Sequence, residues 1–148
     1  MITRIAIAAM ALMLTVGASA NAGTPAEHKP LPNQELIQTN LLHNLKHGSR
    51  SIQASTIQLI IDLSKTNINL DLDFAVLPML DLLKSSDSPE IRIISALGLY
   101  HLDSELGQFA VARRAQFDDS ERVSNMCKRI SLAWGERVES TGYYAFTE

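Results

Sequence analysis

The sequence predicts an all-α fold: a short right-handed α-solenoid of about three antiparallel helix pairs, preceded by a cleaved signal peptide. Apolar residues recur at helical spacing almost everywhere from Gln34 onward, and polar turns interrupt that spacing. Ile52, Ile91 and Val123 each open the apolar stripe of the second helix in a pair, at separations of 39 (52 to 91) and 32 (91 to 123) residues. Self-similarity at about 30 to 50 residues is typical of stacked helix pairs.

The first 22 residues have the pattern of an export signal. Arg4 precedes an uncharged apolar run over residues 5–16, and small residues at Ala18, Ala20 and Ala22 fit a signal peptidase site. The run is shorter than the roughly 20 apolar residues that span a bilayer. We therefore expect residues 1–22 to be removed and the exported protein to be periplasmic or extracellular, with no stable insertion into the membrane.

Three segments are expected after the signal. They are a flexible Pro-rich leader (23–33), a helical-repeat domain (34–134) and a C-terminal tail (135–148). The aromatic residues of the tail, Tyr143, Tyr144 and Phe146, are expected to fold back over Trp134 and Leu132 and to shield the last repeat. The alternative is that the tail is a free peptide that binds a partner.

The first three helices are predicted from their apolar stripes. They begin near Gln34, Ser51 and Phe74. Gly48 is expected to end the first helix in a left-handed conformation. Residues 67–74 alternate like a strand, but without a second strand to pair with we interpret them as a connection in which Asp71 or Asp73 caps the third helix. Pro78 predicts a kink near residues 75–77.

The last three helices begin after polar turns, near Pro89, Glu105 and Glu121. Asp87 or Ser88 is expected to cap the fourth helix, Pro89 suits its first turn, and Glu90 complements the helix dipole. Small residues at positions 95, 96 and 98 are expected to let another helix approach closely. The fifth helix is predicted to run from Glu105 to Phe117.

Composition and charge narrow the class of partner. The chain of 148 residues has a formal net charge of −3, and it has no run of Lys and Arg that would indicate a nucleic acid or an anionic membrane. Cys127 has no second cysteine to pair with, so packing must hold an exported domain together. Because Cys127 lies in an apolar stripe with Met126 and Ile130, we predict a buried side chain and not a nucleophile.

Residues 75–102, AVLPMLDLLKSSDSPEIRIISALGLYHL, resemble a HEAT repeat. The first helix contains a proline, the turn contains Asp87, and the apolar Ile91 is followed by Arg92. Residues 41–64 match the outline with Gly48 in place of the Asp, and residues 105–130 keep the acidic turn. The resemblance covers most of residues 34–134, and it extends to the related armadillo-like repeats.

The resemblance implies a non-catalytic adaptor that binds another protein, with no catalytic residue, cofactor or metal. In HEAT proteins the second helices generally line one surface of a curved array. By analogy, the exposed side of these helices would offer a partner surface: Gln53, Gln58, Arg92, Tyr100, Ser124 and Lys128. For Arg92 the alternative is a structural role, in which it pairs with Asp87 or Asp118 across neighbouring turns.

A different class of function would use the histidines. His43 and His47 are four residues apart on a predicted helix, so one face carries both rings and a metal could bridge them. No Glu follows His43 as in H-E-x-x-H, and no third ligand is evident, which favours a solvated face. The alternative to an adaptor is therefore a metal-handling or enzyme-like periplasmic protein that uses His43, His47 or His101.

Overall fold

The protein is all-helical over the part of the chain that the structure describes, which confirms the predicted class. A computed structural model describes residues 33–66 and 70–140, the last three through their backbone only. Those residues form six α-helices and no strand: α1 (Gln34–His47), α2 (Arg50–Ser64), α3 (Val76–Ser85), α4 (Pro89–His101), α5 (Glu105–Phe117) and α6 (Glu121–Ser140). The expectations for the signal, for nearly all of the leader and for the aromatic tail lie outside the described residues.

Serine residues begin three of the helices. Ser49, Ser88 and Ser104 are the N-caps of α2, α4 and α5, and the hydroxyl of each accepts the backbone N–H of the residue three positions further on. Of the two expected caps for α4, Ser88 is therefore the correct one, whereas Asp87 is exposed. Pro89 follows at the first helical position, where its missing N–H would have no helical acceptor.

Three expectations about helix ends are wrong in detail. Gly48 ends α1 in an extended conformation, with φ −69° and ψ 155°, and not in a left-handed one. The expected kink at Pro78 is replaced by a 3-10 turn over Asp73–Ala75, after which α3 begins at Val76. Pro78 then lies in the first turn of α3, where an N–H has no partner within the helix. Asp71 Oδ1 accepts the Asp73 N–H at 2.9 Å. The N-cap of α3 is Ala75, however, and no side chain caps α3 or the 3-10 turn, so the expected capping of the third helix by Asp71 or Asp73 is wrong.

The helices pack in consecutive pairs, α1 with α2, α3 with α4 and α5 with α6. The first helices of the pairs contact one another in the order α1, α3, α5, and the second helices in the order α2, α4, α6. At one end of the last pair, Ser124 Oγ donates to the Ala115 carbonyl at 2.7 Å. At the other end, Trp134 Nε1 donates to Asp103, just before α5, at 3.0 Å. The helices α5 and α6 are therefore antiparallel.

The second helices α4 and α6 run in the same direction. Arg122 Nη1 lies 3.0 Å from Glu90 Oε1 near the starts of the two helices. The rings of Tyr100 and Trp134 are in contact near their ends, with centroids 5.3 Å apart. The second and third pairs therefore have the same orientation.

One apolar core runs through all three pairs. Its fully buried side chains come from every helix: Leu45, Ile57, Ile60, Met79, Leu83, Leu99, Val111, Val123 and Cys127. Gly98 lies where α2 and α3 meet α4, and a Cβ there would be 2.7 Å from Met79 Sδ and 3.1 Å from Ile57 Cγ2. The expected close approach at a small residue of α4 is confirmed. Ile52, which was expected to open a buried stripe, is instead about half exposed at the first pair.

Candidate functional site

Arg92, expected on a partner surface, is buried with 6 % of its surface exposed. Its Nη2 donates to Asp118 Oδ1 at 2.9 Å and to Asp119 Oδ1 at 2.8 Å. Its Nη1 donates to the Ser86 carbonyl at 2.8 Å. The alternative interpretation, a structural pair with Asp118 across neighbouring turns, is therefore the correct one, and Arg92 is not available to a partner.

Asp118 is the buried acceptor of this network. Its side chain has no solvent exposure and lies 3.4 Å from Arg114 in addition to Arg92. Burial opposes ionisation of the carboxyl, but the Ser120 N–H and the Arg92 guanidinium outweigh it and hold the pKa of Asp118 below its ordinary value. Asp118 is therefore a carboxylate at neutral pH, matched by the buried guanidinium.

Two exposed contacts connect the same pairs. Glu90 meets Arg122 at 3.0 Å, and Arg114 donates to the Lys84 carbonyl at the end of α3. Hydrogen bonds from its own backbone N–H and from the Ser88 hydroxyl lower the pKa of Glu90. Together with Arg92, these contacts join the second pair to the third at the end where the turns lie.

Gln53 and Ser124, two further members of the expected surface, form hydrogen bonds within their own helix pair, as Arg92 does. A serine precedes each second helix: Ser49, Ser88 and Ser120. The residues four positions after these serines are Gln53, Arg92 and Ser124. Gln53 Nε2 donates to the Leu45 carbonyl at 3.0 Å, and Ser124 Oγ to the Ala115 carbonyl at 2.7 Å. Carbonyls in the last turn of a helix lack partners within it. These side chains therefore close the first helix of their own pair.

The remaining members of the expected surface have different environments. Gln58 and Lys128 are exposed, and Gln58 Nε2 donates to Asp62 at 3.1 Å. Tyr100 is half-buried between Trp134 and Arg137, whose guanidinium carbon lies 3.9 Å from the Tyr100 ring centroid. Of the six residues expected to form one surface, Gln58 and Lys128 are the two that are exposed to solvent.

The histidines among the described residues lie in two places. The rings of His43 and His47 are exposed on α1 with centroids 5.0 Å apart. His101 is at the end of α4, where burial and the charges of Lys65 and Arg137 lower its pKa. Within residues 33–66 and 70–140, no group of three or more His, Cys, Asp or Glu side chains is placed to hold a metal ion.

Cys127 is fully buried in the core, as its place in the apolar stripe predicted. Burial raises the pKa of the thiol to about 11, and the nearby Asp118 acts in the same direction. The side chain is therefore a neutral thiol at physiological pH and packs as a small apolar group.

A groove between α3 and α5 is a feature that the sequence interpretation missed. It has a volume of about 510 Å³, and its wall includes Leu80, Ala110, Phe109 and Phe117. The two phenylalanines are 71 % and 73 % exposed, the highest fractions among the large apolar side chains described. Exposed aromatic rings beside a groove are a common feature of binding surfaces.

The outer face of α5 carries Phe109, Arg113 and Phe117, two phenylalanines with an arginine between them. We call these three residues the aromatic stripe. The stripe also lines a second depression of about 250 Å³ on the other side of the two rings. The side chain of Arg113 forms no hydrogen bond or ion pair with any of the described residues. The buried face of α5 consists of Gly107, Val111 and Ala115. In the sequence, Phe109 and Phe117 lie about 160° and about 120° around the helix from the middle of that small-residue face, and this spacing was the signal for this surface.

No helix of the described residues is long and apolar enough to cross a membrane. No protein-family model matches the chain, and comparisons with curated proteins and with solved structures find no match.

Proposed function

We propose that this protein is a small exported helical-repeat module that binds another protein and has no catalytic activity. The three pairs would form a short α-solenoid that resembles HEAT or armadillo-like repeats. The order of the contacts supports this architecture, because first helices meet first helices and second helices meet second helices along the chain.

A repeated hydrogen bond also supports the repeat interpretation. In each pair a serine precedes the second helix, and the residue four positions on reaches a carbonyl at the end of the first helix. The side chains that do so are Gln53, Arg92 and Ser124, which differ in chemistry but occupy equivalent places. The equivalence is what repeats of one supersecondary unit produce after their sequences have diverged.

The observation that carries a binding role is the exposure of large apolar side chains on the first helices. They are Leu36 on α1, Leu77 on α3, and Leu106, Phe109 and Phe117 on α5. Each is more than half exposed, whereas on the second helices Leu132 is the one large apolar side chain described that exceeds half, so the first-helix layer keeps most of the apolar surface that the core does not cover. We therefore place the partner surface on the first helices and not on the second helices.

Photo-crosslinking in the native envelope tests this function. A photoreactive amino acid would be introduced at Phe109 on the first-helix layer and, as a matched control, at Lys128 on the second-helix layer. We expect a protein adduct of defined mass from position 109 and a weaker one or none from position 128. If neither position, nor Leu36 or Leu77, gives a protein adduct, the protein is not an interaction module.

A further inference from the structure

We propose that the groove between α3 and α5 binds an acidic segment of a partner protein, with large apolar side chains of that segment inserted beside Phe109 and Phe117. This inference rests on the proposed function and specifies the chemistry that the interaction surface recognises. It assigns the aromatic stripe, and not the second helices, as the place of contact.

The shape of the groove suits a few side chains of a peptide. Its volume of about 510 Å³ falls within the roughly 300–1,000 Å³ that ligand sites usually have. Leu80 and Ala110 contribute apolar wall, and the two Phe rings stand exposed beside it. A bound apolar side chain would therefore remove the two most exposed large rings from water at once.

The charges around the groove favour an acidic ligand. Its lining includes three cations, Lys84, Arg113 and Arg114, and one acid, Asp81. Arg114 is already paired with Asp118 at 3.4 Å. The side chains of Lys84 and Arg113 have no ion pair within the described residues, and both are exposed. An excess of unpaired positive charge beside apolar wall is complementary to carboxylates flanking apolar anchors.

Two other macromolecular surfaces fit the groove less well. A second copy of the chain that used the same face would bring the cations of both copies into one interface, because a two-fold contact pairs identical patches. An anionic membrane is recognised by clusters of about 4–8 Lys and Arg, more than the three that line this groove. A peptide with apolar and acidic residues satisfies both the rings and the cations.

A peptide selection with matched variants tests the groove. The purified protein would be immobilised and used to select from a phage-displayed library of random peptides, and the selected peptides would then be measured by fluorescence anisotropy. We expect Asp or Glu next to aromatic or Leu residues in the selected peptides. Phe117→Ala and the charge reversal Arg113→Glu should each weaken binding by about tenfold or more. Leu132→Ala, an exposed apolar position on α6, is the control and should change binding less than twofold.

Several outcomes would overturn the inference. Selected peptides whose binding depends on Leu132 and not on Phe117 would place recognition elsewhere and leave the proposed function intact. No selected peptide, together with binding to phosphatidylglycerol vesicles that Arg113→Glu abolishes, would mean that the groove binds a lipid surface. A concentration-dependent dimer that Phe117→Ala abolishes would make a second copy the occupant. If no peptide is selected and the photo-crosslinking experiment in the native envelope also gives no protein adduct, both the groove inference and the proposed function are wrong.

Discussion

The guanidinium of Arg92 lies 2.9 Å from the carboxylate of Asp118, and the two side chains are 7 % and 0 % exposed. Arg92 belongs to α4 and Asp118 follows α5, so the pair joins two different helix pairs. A charge pair with this little access to water depends strongly on both partners, because the second contacts, Asp119 with Arg92 and Arg114 with Asp118, compensate a buried charge only in part.

Removing Arg92 should therefore be severely destabilising. We expect Arg92→Ala to lower the free energy of unfolding by about 3 kcal/mol, because Asp118 keeps its charge in a buried site. Arg122→Ala removes the partner of Glu90 in an exposed pair and should cost less than about 1 kcal/mol. Urea unfolding of both variants measures the difference. Equal and small losses would show that the Arg92 pair does not stabilise the fold.

The same pair predicts a loss of stability in acid. The pKa of Asp118 is lower in the folded protein than its ordinary value of 3.8, so the folded state binds this proton less readily than the unfolded chain. The stabilisation is complete above about pH 4 and is lost as the pH falls through the lower folded-state pKa. Urea unfolding at about pH 5 and about pH 3 should show a smaller decline for Asp118→Asn than for the natural protein. Parallel declines would contradict the assignment.

The N-terminus of α4 offers a comparison between adjacent residues. Ser88 caps the helix through the Ile91 N–H, whereas Asp87 is exposed. We expect Ser88→Ala to cost about 1 kcal/mol and Asp87→Ala to change the stability by less than about half of that. Chemical denaturation of the two variants decides between the candidate caps. A larger loss for Asp87→Ala would mean that the helix begins earlier than Ser88.

Two glycines should respond to alanine in opposite directions. A Cβ on Gly107 of α5 would lie 2.8 Å from Leu99 Cβ, which is fixed to the backbone of α4, so the helices must separate. We expect Gly107→Ala to destabilise by about 1–3 kcal/mol. A Cβ on Gly135 would meet nothing within 4 Å, and its replacement should stabilise α6 by about 0.5–1 kcal/mol. Thermal unfolding of both variants tests the packing of α4 against α5, and a stabilising Gly107→Ala would refute it.

Cys127 should be unreactive in the folded protein. Its thiol is fully buried, and burial raises its pKa to about 11, so a thiol reagent at neutral pH meets almost no thiolate. We expect Ellman's reagent to label Cys127 only as fast as the protein unfolds. A Leu132→Cys variant, with the new thiol on the exposed side of α6, should react at once with one equivalent and slowly with the second. Fast labelling of the natural protein would contradict the buried position.

The bounds of the helices were more predictable from the sequence than the environments of their side chains. The bounds of α5, Glu105 and Phe117, were predicted correctly because its ends depend on local residues such as Ser104, which caps it. The end of α1 was predicted at Gly48, but its conformation was not, because an extended and a left-handed Gly both stop a helix. Local spacing determines where a helix lies, and it says less about the backbone that follows.

The side-chain environments were harder to predict because they depend on residues far away in the sequence. The sequence left Arg92 either to a partner surface or to a pair with Asp87 or Asp118, and only the fold, which brings Asp118 from 26 residues later against it, decides between them. Gln53 and Ser124 looked available to a partner, whereas each hydrogen-bonds a carbonyl of its own pair. The aromatic stripe was missed because an apolar residue in a helix is first assigned to the core, and only the neighbours of α5 show that Phe109 and Phe117 face outward.

The buried pair of Arg92 and Asp118 also affects how the protein opens. Detaching α5 and α6 from the rest would break the pair and leave a guanidinium in α4 without its carboxylate. Local opening of the last pair is therefore penalised unless α4 opens with it, and the last two helix pairs behave as one cooperative unit. The first pair meets α4 through apolar contacts such as Ile57 beside Gly98, so it can fray without separating buried charges. The groove lies wholly within this unit, so its two walls, α3 and α5, should stay in register even when the first pair frays.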